Sequence, residues 1–111
     1  MAGTKSECVI SGVSGRFPAA DSMEEFEYKL FNKVDMVTAD DSRWKPGLFN
    51  LPSRNGKIKS IDKFDADYFN IPDNIAEFID PQDRIFLELV VEAAADAGQS
   101  LLFTNDFVIV T

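Results

Sequence analysis

The chain has 111 residues, with 11 Lys and Arg against 19 Asp and Glu, one Cys and no His. The net charge of −8 disfavours nucleic acid as a partner, because phosphate binding needs a basic face. The absence of His excludes imidazole bases and His-dependent nucleophiles within the chain, and the lone Cys8 excludes an internal disulfide. From the residues alone we therefore expect no catalytic residue, no metal site and no bound cofactor.

No stretch of the sequence has the apolar length of a signal peptide or of a membrane span. The N-terminal residues include an acidic side chain at Glu7, which a signal peptide disfavours. We therefore expect a cytoplasmic protein without membrane contact.

The first predicted element is a buried β-strand at residues 8–11, which Gly12 stops. Cys8 lies inside this predicted strand, so we interpret it as a buried structural cysteine and not as a nucleophile. Gly12 and Gly15 do not have the spacing of a phosphate-binding loop, and a tight turn explains them more simply.

A helix is predicted over residues 22–33. Ser22 can cap the first turn while Glu25 reaches back to the cap, and apolar residues then recur at helical spacing. A strand followed by a helix indicates an α/β layer and not an all-helical bundle.

Residues 42–61, which we name the basic loop, contain basic residues and no acidic ones. Pro, Gly, Asn and Ser are frequent here, so the segment is predicted to be a long surface loop or hairpin. The simplest interpretation is a solvated surface, and the alternative is a docking site for an acidic protein or a phosphorylated group. The candidate site residues are Arg43, Lys45, Arg54, Lys57 and Lys59.

The sequence of the second half of the chain predicts mostly helical structure. Aromatic residues at 64–69, with Asp65 as a cap, predict a short helical turn, and a short helix follows from Pro72 to Phe78. A calcium loop needs a particular spacing of acidic residues, which is absent among Asp62, Asp65, Asp67, Asp80 and Asp83, so caps and a solvated face explain them better.

The clearest prediction is a long helix between Asp80 and Gly98. Asp80 suits the N-cap, Pro81 suits the first helical position, and Gly98 suits the position just after the end. The helix is apolar on most of its circumference, which indicates burial in something larger. A second buried strand is predicted at residues 107–110.

Four motifs in this order resemble the opening of the β-ketoacyl synthase domain of animal-type multifunctional fatty acid synthase. They are V-I-S-G-V-S-G-R-F-P at 9–18, V-D-M-V-T-A-D-D-S-R-W at 34–44, F-D-A-D-Y-F-N-I at 64–71 and D-P-Q-D-R-I-F-L-E-L-V-V-E-A-A-A-D-A-G at 80–98. Polyketide synthases share most of these motifs. The V-D-M-V-T stretch, with the following G-L-F-N-L-P and G-K-I-K, favours the fatty acid enzyme.

The resemblance implies an α/β, thiolase-like fold of which this sequence supplies the N-terminal portion. Residues 1–7 would be an extension, residues 8–98 the ketosynthase segment, and residues 99–111 a tail that departs from the family pattern. The family's nucleophilic Cys and its two catalytic His residues lie beyond these motifs, and none of them maps onto this chain.

The resemblance also implies the reaction and the partners. The parent enzyme would condense an acyl group with a malonyl group that acyl carrier protein holds on its phosphopantetheine arm. The partners would be the remainder of the ketosynthase domain, acyl carrier protein and, for the parent, a second copy in a homodimer. Two alternatives stay open: a non-catalytic interaction protein, diverged or truncated, and a polyketide synthase ketosynthase segment.

Overall fold

The computed structural model describes Gly3 and residues 5–99, and it contains three helices, one 3₁₀ turn and a two-stranded sheet. In chain order these are α1 (Met23–Phe31), β1 (Val37–Thr38), the 3₁₀ turn (Leu48–Asn50), β2 (Asn55–Gly56), α2 (Asp73–Ala76) and α3 (Pro81–Asp96). None of the helices in the described part is long and apolar enough to cross a membrane. The strand predicted at residues 107–110 lies outside the described residues.

Helix α1 confirms the predicted cap and ends two residues earlier than predicted. The Ser22 hydroxyl accepts a hydrogen bond from the Glu25 amide at 3.1 Å, as an N-cap should. The Glu25 carboxylate accepts from the Asp21 amide at 2.9 Å, one residue before the cap. On the inner side of the helix the rings of Phe26 and Phe17 stack with their centroids 4.0 Å apart, which fixes α1 against the preceding loop.

The basic loop is part of a hairpin. The sequence had predicted either a long surface loop or a hairpin for this segment. Strands β1 and β2 pair antiparallel, with Val37 opposite Gly56 and Thr38 opposite Asn55. Beyond β2, the Lys57 carbonyl accepts a hydrogen bond from the Ala19 amide at 3.1 Å, which joins the hairpin to the turn before α1.

The aromatic segment forms a capped turn, as predicted. The Asp65 carboxylate accepts from the Tyr68 amide at 3.1 Å. Phe69 stacks on Phe64 at 5.2 Å and meets Tyr68 edge-on at 5.1 Å between ring centroids. Helix α2 then follows and is shorter than predicted, because it ends at Ala76.

Helix α3 begins and ends where the sequence predicted. The Asp80 carboxylate accepts from the Gln82 amide at 2.8 Å, and Pro81 is the first helical residue. At the other end Gly98 has a φ of 71°. The amides of Gly98 and Gln99 donate back to carbonyls of the last turn, which is the Schellman arrangement.

The predicted strand at residues 8–11 is wrong for the described structure. These residues belong to no helix or strand, Val9 is 77% exposed and Ile10 is 85% exposed. Cys8 is also exposed, which corrects the prediction of a buried cysteine. The physical reason is pairing: a strand needs a neighbour, and the two strands of the described part, β1 and β2, pair with each other.

The buried side chains of the described part are all small. They are Ala20, Ala66, Ala76 and Ala94. Helix α3, which the sequence predicts to be enclosed, has one buried residue, and its Phe86 is 40% exposed. The described chain therefore covers only part of the apolar surface of its longest helix.

Candidate interaction site

The loop at residues 12–16 lies directly against α3. The Val13 amide donates to the Asp96 carboxylate at 2.9 Å, and the Ser14 hydroxyl donates to the Leu89 carbonyl at 2.7 Å. At Gly12 the approach is so close that an added Cβ would lie 2.9 Å from the Ala97 Cβ. The loop and α3 thus form one packed unit.

An ion pair completes this contact. Both terminal nitrogens of Arg16 donate to the two carboxylate oxygens of Glu92, with Nη1 to Oε2 at 2.7 Å. The hydrogen bond with Glu92 raises the pKa of Arg16 above its ordinary value. A two-bonded guanidinium–carboxylate pair fixes orientation as well as distance, so it sets the register of the loop along the helix.

Two of the predicted site residues, Arg54 and Lys57, form contacts with residues at the start of the hairpin. Arg54 pairs with the Asp35 carboxylate and donates to the Val37 carbonyl at 2.9 Å. Hydrogen bonds from the Val37 amide and from Arg54 lower the pKa of Asp35. Lys57 donates to the Thr38 hydroxyl at 3.0 Å and lies 3.4 Å from a carboxylate oxygen of Asp40.

A third predicted residue, Lys59, bridges the hairpin to α1. Its ammonium lies 3.3 Å from a Glu25 carboxylate oxygen and 3.5 Å from one of Asp21. The hydrogen bond with Glu25 raises the pKa of Lys59. Glu25 also accepts from Lys29 at 2.7 Å, and this contact is the largest cause that lowers its pKa to about 2.

The last two predicted residues differ from each other. Arg43 donates to the Ile58 carbonyl, whereas the side chain of Lys45 makes no hydrogen bond or ion pair with the described residues. Arg43, Lys57 and Lys59 line a common open cavity of about 310 Å³. Lys45 and Arg54 lie outside that cavity, so the structure brings together three of the five candidates.

The sequence analysis missed a second cavity, of about 220 Å³, between the hairpin and α3. Three cationic residues line it, together with Asp21 and Glu88: Arg16, Lys59 and Lys63. No local signal could have shown this grouping, because Arg16 and Lys63 are far apart in the chain and meet only through packing.

Charged side chains line both cavities. Within residues 5–99 no group of three His, Cys, Asp or Glu side chains is placed to hold a metal ion. The exposed Cys8 has no His in the chain to activate it. The described residues thus place cationic side chains at both cavities, and no nucleophile–base pair is found among them.

Comparison with known proteins assigns the family. The family model described as "Beta-ketoacyl synthase, N-terminal domain" matches residues 5–108. Fatty acid synthase of the goose Anser anser anser is 50% identical over 92 residues, which cover 83% of this chain and 26% of the goose protein. Polyketide synthase PksL of Bacillus subtilis is 36% identical over 104 residues, which cover 83% of this chain and 2% of that protein.

Solved structures agree with the sequence matches. The ketosynthase from module 6 of the bacillaene synthase of Bacillus subtilis 168 superposes with a TM-score of 0.73 at 36% identity. The match covers 80% of this chain and 16% of that one. A second structure, the oxazolomycin ketosynthase domain OzmH KS7 of Streptomyces albus JA3453, gives a TM-score of 0.69 at 34% identity.

The chain therefore spans a minor part of each of these relatives, and the predicted thiolase-like fold is confirmed for that part. Its relatives are parts of multidomain synthases. The family match, the 50% identity and the superposition together show that this chain belongs to the β-ketoacyl synthase family and corresponds to the N-terminal part of the ketosynthase domain of fatty acid and polyketide synthases.

Proposed function

We propose that this chain acts as the N-terminal scaffold of a fatty acid synthase ketosynthase. The observation that supports the fatty acid assignment best is the 50% identity to a fatty acid synthase, against 36% to a polyketide synthase over a similar length. The complete enzyme would join an acyl group to a malonyl group held on acyl carrier protein, in the cytoplasm and as a homodimer.

In the proposed reaction the acyl group is first held as a thioester on a cysteine of the parent. Loss of carbon dioxide from the malonyl thioester leaves a carbanion, which attacks the acyl carbonyl and releases the cysteine thiolate. This chain contributes none of these reacting groups, because it has no His and its one Cys lies at a different motif position. Its proposed contribution is the packed unit of the loop at residues 12–16 and α3.

The scaffold proposal is tested by comparing two proteins in a condensation assay. The first is the chain alone, and the second is the chain joined to the remainder of a complete ketosynthase domain from an animal fatty acid synthase. We expect turnover from the joined protein and none from the chain alone. Turnover by the chain alone would overturn the scaffold role. A folded but inactive joined protein would overturn the assignment of this chain to a fatty acid synthase ketosynthase.

The proposed docking partner of the basic loop is acyl carrier protein, an acidic protein. The support is local charge: Arg43, Lys57 and Lys59 share a cavity on a chain of net charge −8. Because Lys57 and Lys59 already lie beside Asp40 and Asp21, the attraction should come chiefly from Arg43 and Lys45. The phosphopantetheine arm belongs to the carrier protein and is substrate, and we propose no cofactor bound by this chain.

The docking proposal is tested in the joined protein by replacing Arg43 and Lys45 with Ala. We expect carrier-protein affinity to fall about tenfold at low salt and the salt dependence of binding to weaken. Replacing Lys5 and Lys33, which lie outside the basic loop, is the matched control for lost positive charge. An unchanged affinity and salt dependence in the loop variant would exclude this docking site.

A second candidate function is a non-catalytic interaction protein that inserts into an intact synthase. The observation that favours it is the apolar surface: Phe31, Phe49 and Phe78 are each more than three-quarters exposed. Thermal unfolding separates the two functions. A sharp cooperative transition of the chain alone favours a self-sufficient module, and aggregation favours a segment that needs the rest of its domain.

A further inference from the structure

Phe49, in the connection between β1 and β2, combines a strained backbone with an exposed ring. Its φ is 52° and its ψ is 28°, and the next residue, Asn50, has a φ of 57°. In this left-handed conformation the Cβ of an ordinary residue crowds the backbone. The Phe49 side chain is 85% exposed, so packing does not offset the strain. Residues held in such conformations cluster at binding and active sites, which makes the turn a candidate contact surface.

Basic side chains lie close to Phe49 in the basic loop. The Leu48 amide donates to the Lys45 carbonyl at 3.1 Å, so Lys45 belongs to the turn that leads directly into Phe49. Lys45 is exposed, and its side chain makes no ion pair with the described residues. Arg43 uses one guanidinium nitrogen for a backbone carbonyl and is also exposed. The basic loop contains no acidic residue, so nothing within it neutralises these cations.

Two other exposed phenylalanines show what is particular to Phe49. Phe31 is 76% exposed and Phe78 is 89% exposed, so exposure alone does not distinguish the three rings. Phe31 is the last residue of α1, and neither Phe31 nor Phe78 has a positive φ. Phe78 follows Glu77 directly and lies two residues before Asp80, which gives it acidic neighbours. Of these three, Phe49 is the one that joins a strained backbone to a basic surrounding.

This combination specifies the chemistry of the partner. An aromatic side chain contributes most to binding when it fills an apolar cleft and polar contacts around it exclude water. Lys45 and Arg43 require carboxylates beside that cleft. Because the whole chain has a net charge of −8, an acidic protein is repelled by most of its surface and is steered to the basic loop. The occupant that fits is an acidic protein with an apolar cleft.

We propose that Phe49 is the apolar anchor of the carrier-protein docking site: its ring enters an apolar cleft on acyl carrier protein, while Arg43 and Lys45 pair with carboxylates at the edge of the cleft. This inference rests on the proposed function. It adds the residue that fixes the position of the partner, and it adds a requirement that charge alone does not impose, an apolar cleft on the partner surface.

The test measures binding of acyl carrier protein, without its phosphopantetheine arm, to the joined protein. Phe49→Asn removes the ring and suits the left-handed backbone, so affinity should fall about thirtyfold while stability in urea stays equal or rises. The salt dependence of binding should not change, because no charge is lost. Phe49→Tyr keeps the ring and should bind within about threefold of the unaltered protein. Phe31→Ala is the matched control for loss of an exposed ring and should leave the affinity unchanged.

Hydroxyl-radical footprinting of the joined protein measures whether the Phe49 ring is exposed before the partner binds. We expect the ring to be oxidised in the joined protein alone and protected after carrier protein is added. Protection before the addition would mean that the remainder of the domain, another part of this chain or a second copy covers the ring, and the anchor would then be wrong.

The outcomes separate this inference from the proposed function. If the joined protein is active but Phe49→Asn binds carrier protein as tightly as the unaltered protein, or if no binding is measured, the anchor is wrong and the scaffold role stands. If the joined protein is folded and inactive but Phe49→Asn loses affinity for carrier protein, the anchor stands and the proposed function is wrong. An equal loss of affinity in Phe49→Asn and Phe31→Ala would show a general effect of apolar surface and would also overturn the anchor.

Discussion

Arg16 and Glu92 are separated by 76 positions in the sequence, yet their side chains form a two-bonded ion pair that holds the N-terminal loop on α3. The Arg16 side chain is 19% exposed and that of Glu92 is 45% exposed, so solvent screens part of the attraction. The pair acts together with the Ser14 hydrogen bond to the Leu89 carbonyl, which lies one helical turn away. The loop is thus attached to α3 at two points that lie one helical turn apart.

Replacing Arg16 with Met should lower the free energy of unfolding by about 1 kcal/mol, because it keeps the apolar stem and removes both hydrogen bonds. Urea denaturation of Arg16→Met, Glu92→Gln and the double variant measures the coupling. We expect the double variant to cost less than the sum of the single ones. Additive losses would show that the two side chains do not stabilise each other.

Gly12→Ala tests the close approach of the loop to α3. A Cβ at this position would overlap the Ala93 carbonyl and lie 2.9 Å from the Ala97 Cβ, so the loop must move away from the helix. We expect a loss of about 2 kcal/mol in the free energy of unfolding, measured by urea denaturation. Gly3→Ala is the matched control, because an added Cβ there has no heavy atom within 4 Å. Equal stability of the two variants would contradict the packing described for Gly12.

The local signals of the sequence predicted the helices well. Ser22 and Asp80 cap α1 and α3 as their residue types indicate, and Gly98 closes α3 with a positive φ. These features depend on a few neighbouring residues, and a single sequence contains them completely. The order of the helices, and a surface loop or hairpin between α1 and α2, followed from the same kind of local pattern.

The contacts between distant segments could not be predicted in this way. Nothing near Arg16 indicates Glu92 as its partner, and nothing in the basic loop indicates that Lys59 lies beside Asp21 and Glu25. The strand predicted at residues 8–11 failed for a related reason. Val9 and Ile10 give the composition of a strand, but a strand also needs a neighbour, and local composition does not supply one.

Glu25→Gln tests the charge cluster that joins α1 to the hairpin. The pKa of Glu25 is lowered from 4.5 to about 2, first by the hydrogen bond from Lys29 and then by the Asp21 amide. A lowered folded-state pKa means that the carboxylate stabilises the fold fully above pH 4.5 and that this stabilisation is lost as the pH falls towards 2. Unfolding curves at pH 6 and pH 2.5 should therefore differ less for Glu25→Gln than for the unaltered chain.

Glu24→Gln is the control for the pH experiment, since Glu24 is exposed, lies in the same helical turn and has a side chain that makes no hydrogen bond with the described residues. It should leave the pH dependence close to that of the unaltered chain. Asp35 and Asp40 also have lowered pKa values, so some acid sensitivity should persist in Glu25→Gln. An undiminished pH dependence in Glu25→Gln would show that the cluster does not couple protonation to folding.

Gly98→Ala tests the end of α3. At a φ of 71° a side chain Cβ crowds the backbone, whereas glycine adopts this conformation without strain. The variant should lose about 1 kcal/mol of stability, because it either accepts the strain or gives up the hydrogen bonds from the Gly98 and Gln99 amides to the last turn. Gly98→Asn should lose clearly less, since Asn tolerates this conformation better than Ala does. Urea denaturation followed by helical circular dichroism measures both losses, and an Ala variant as stable as the Asn variant would mean that the positive φ does not control how the helix ends.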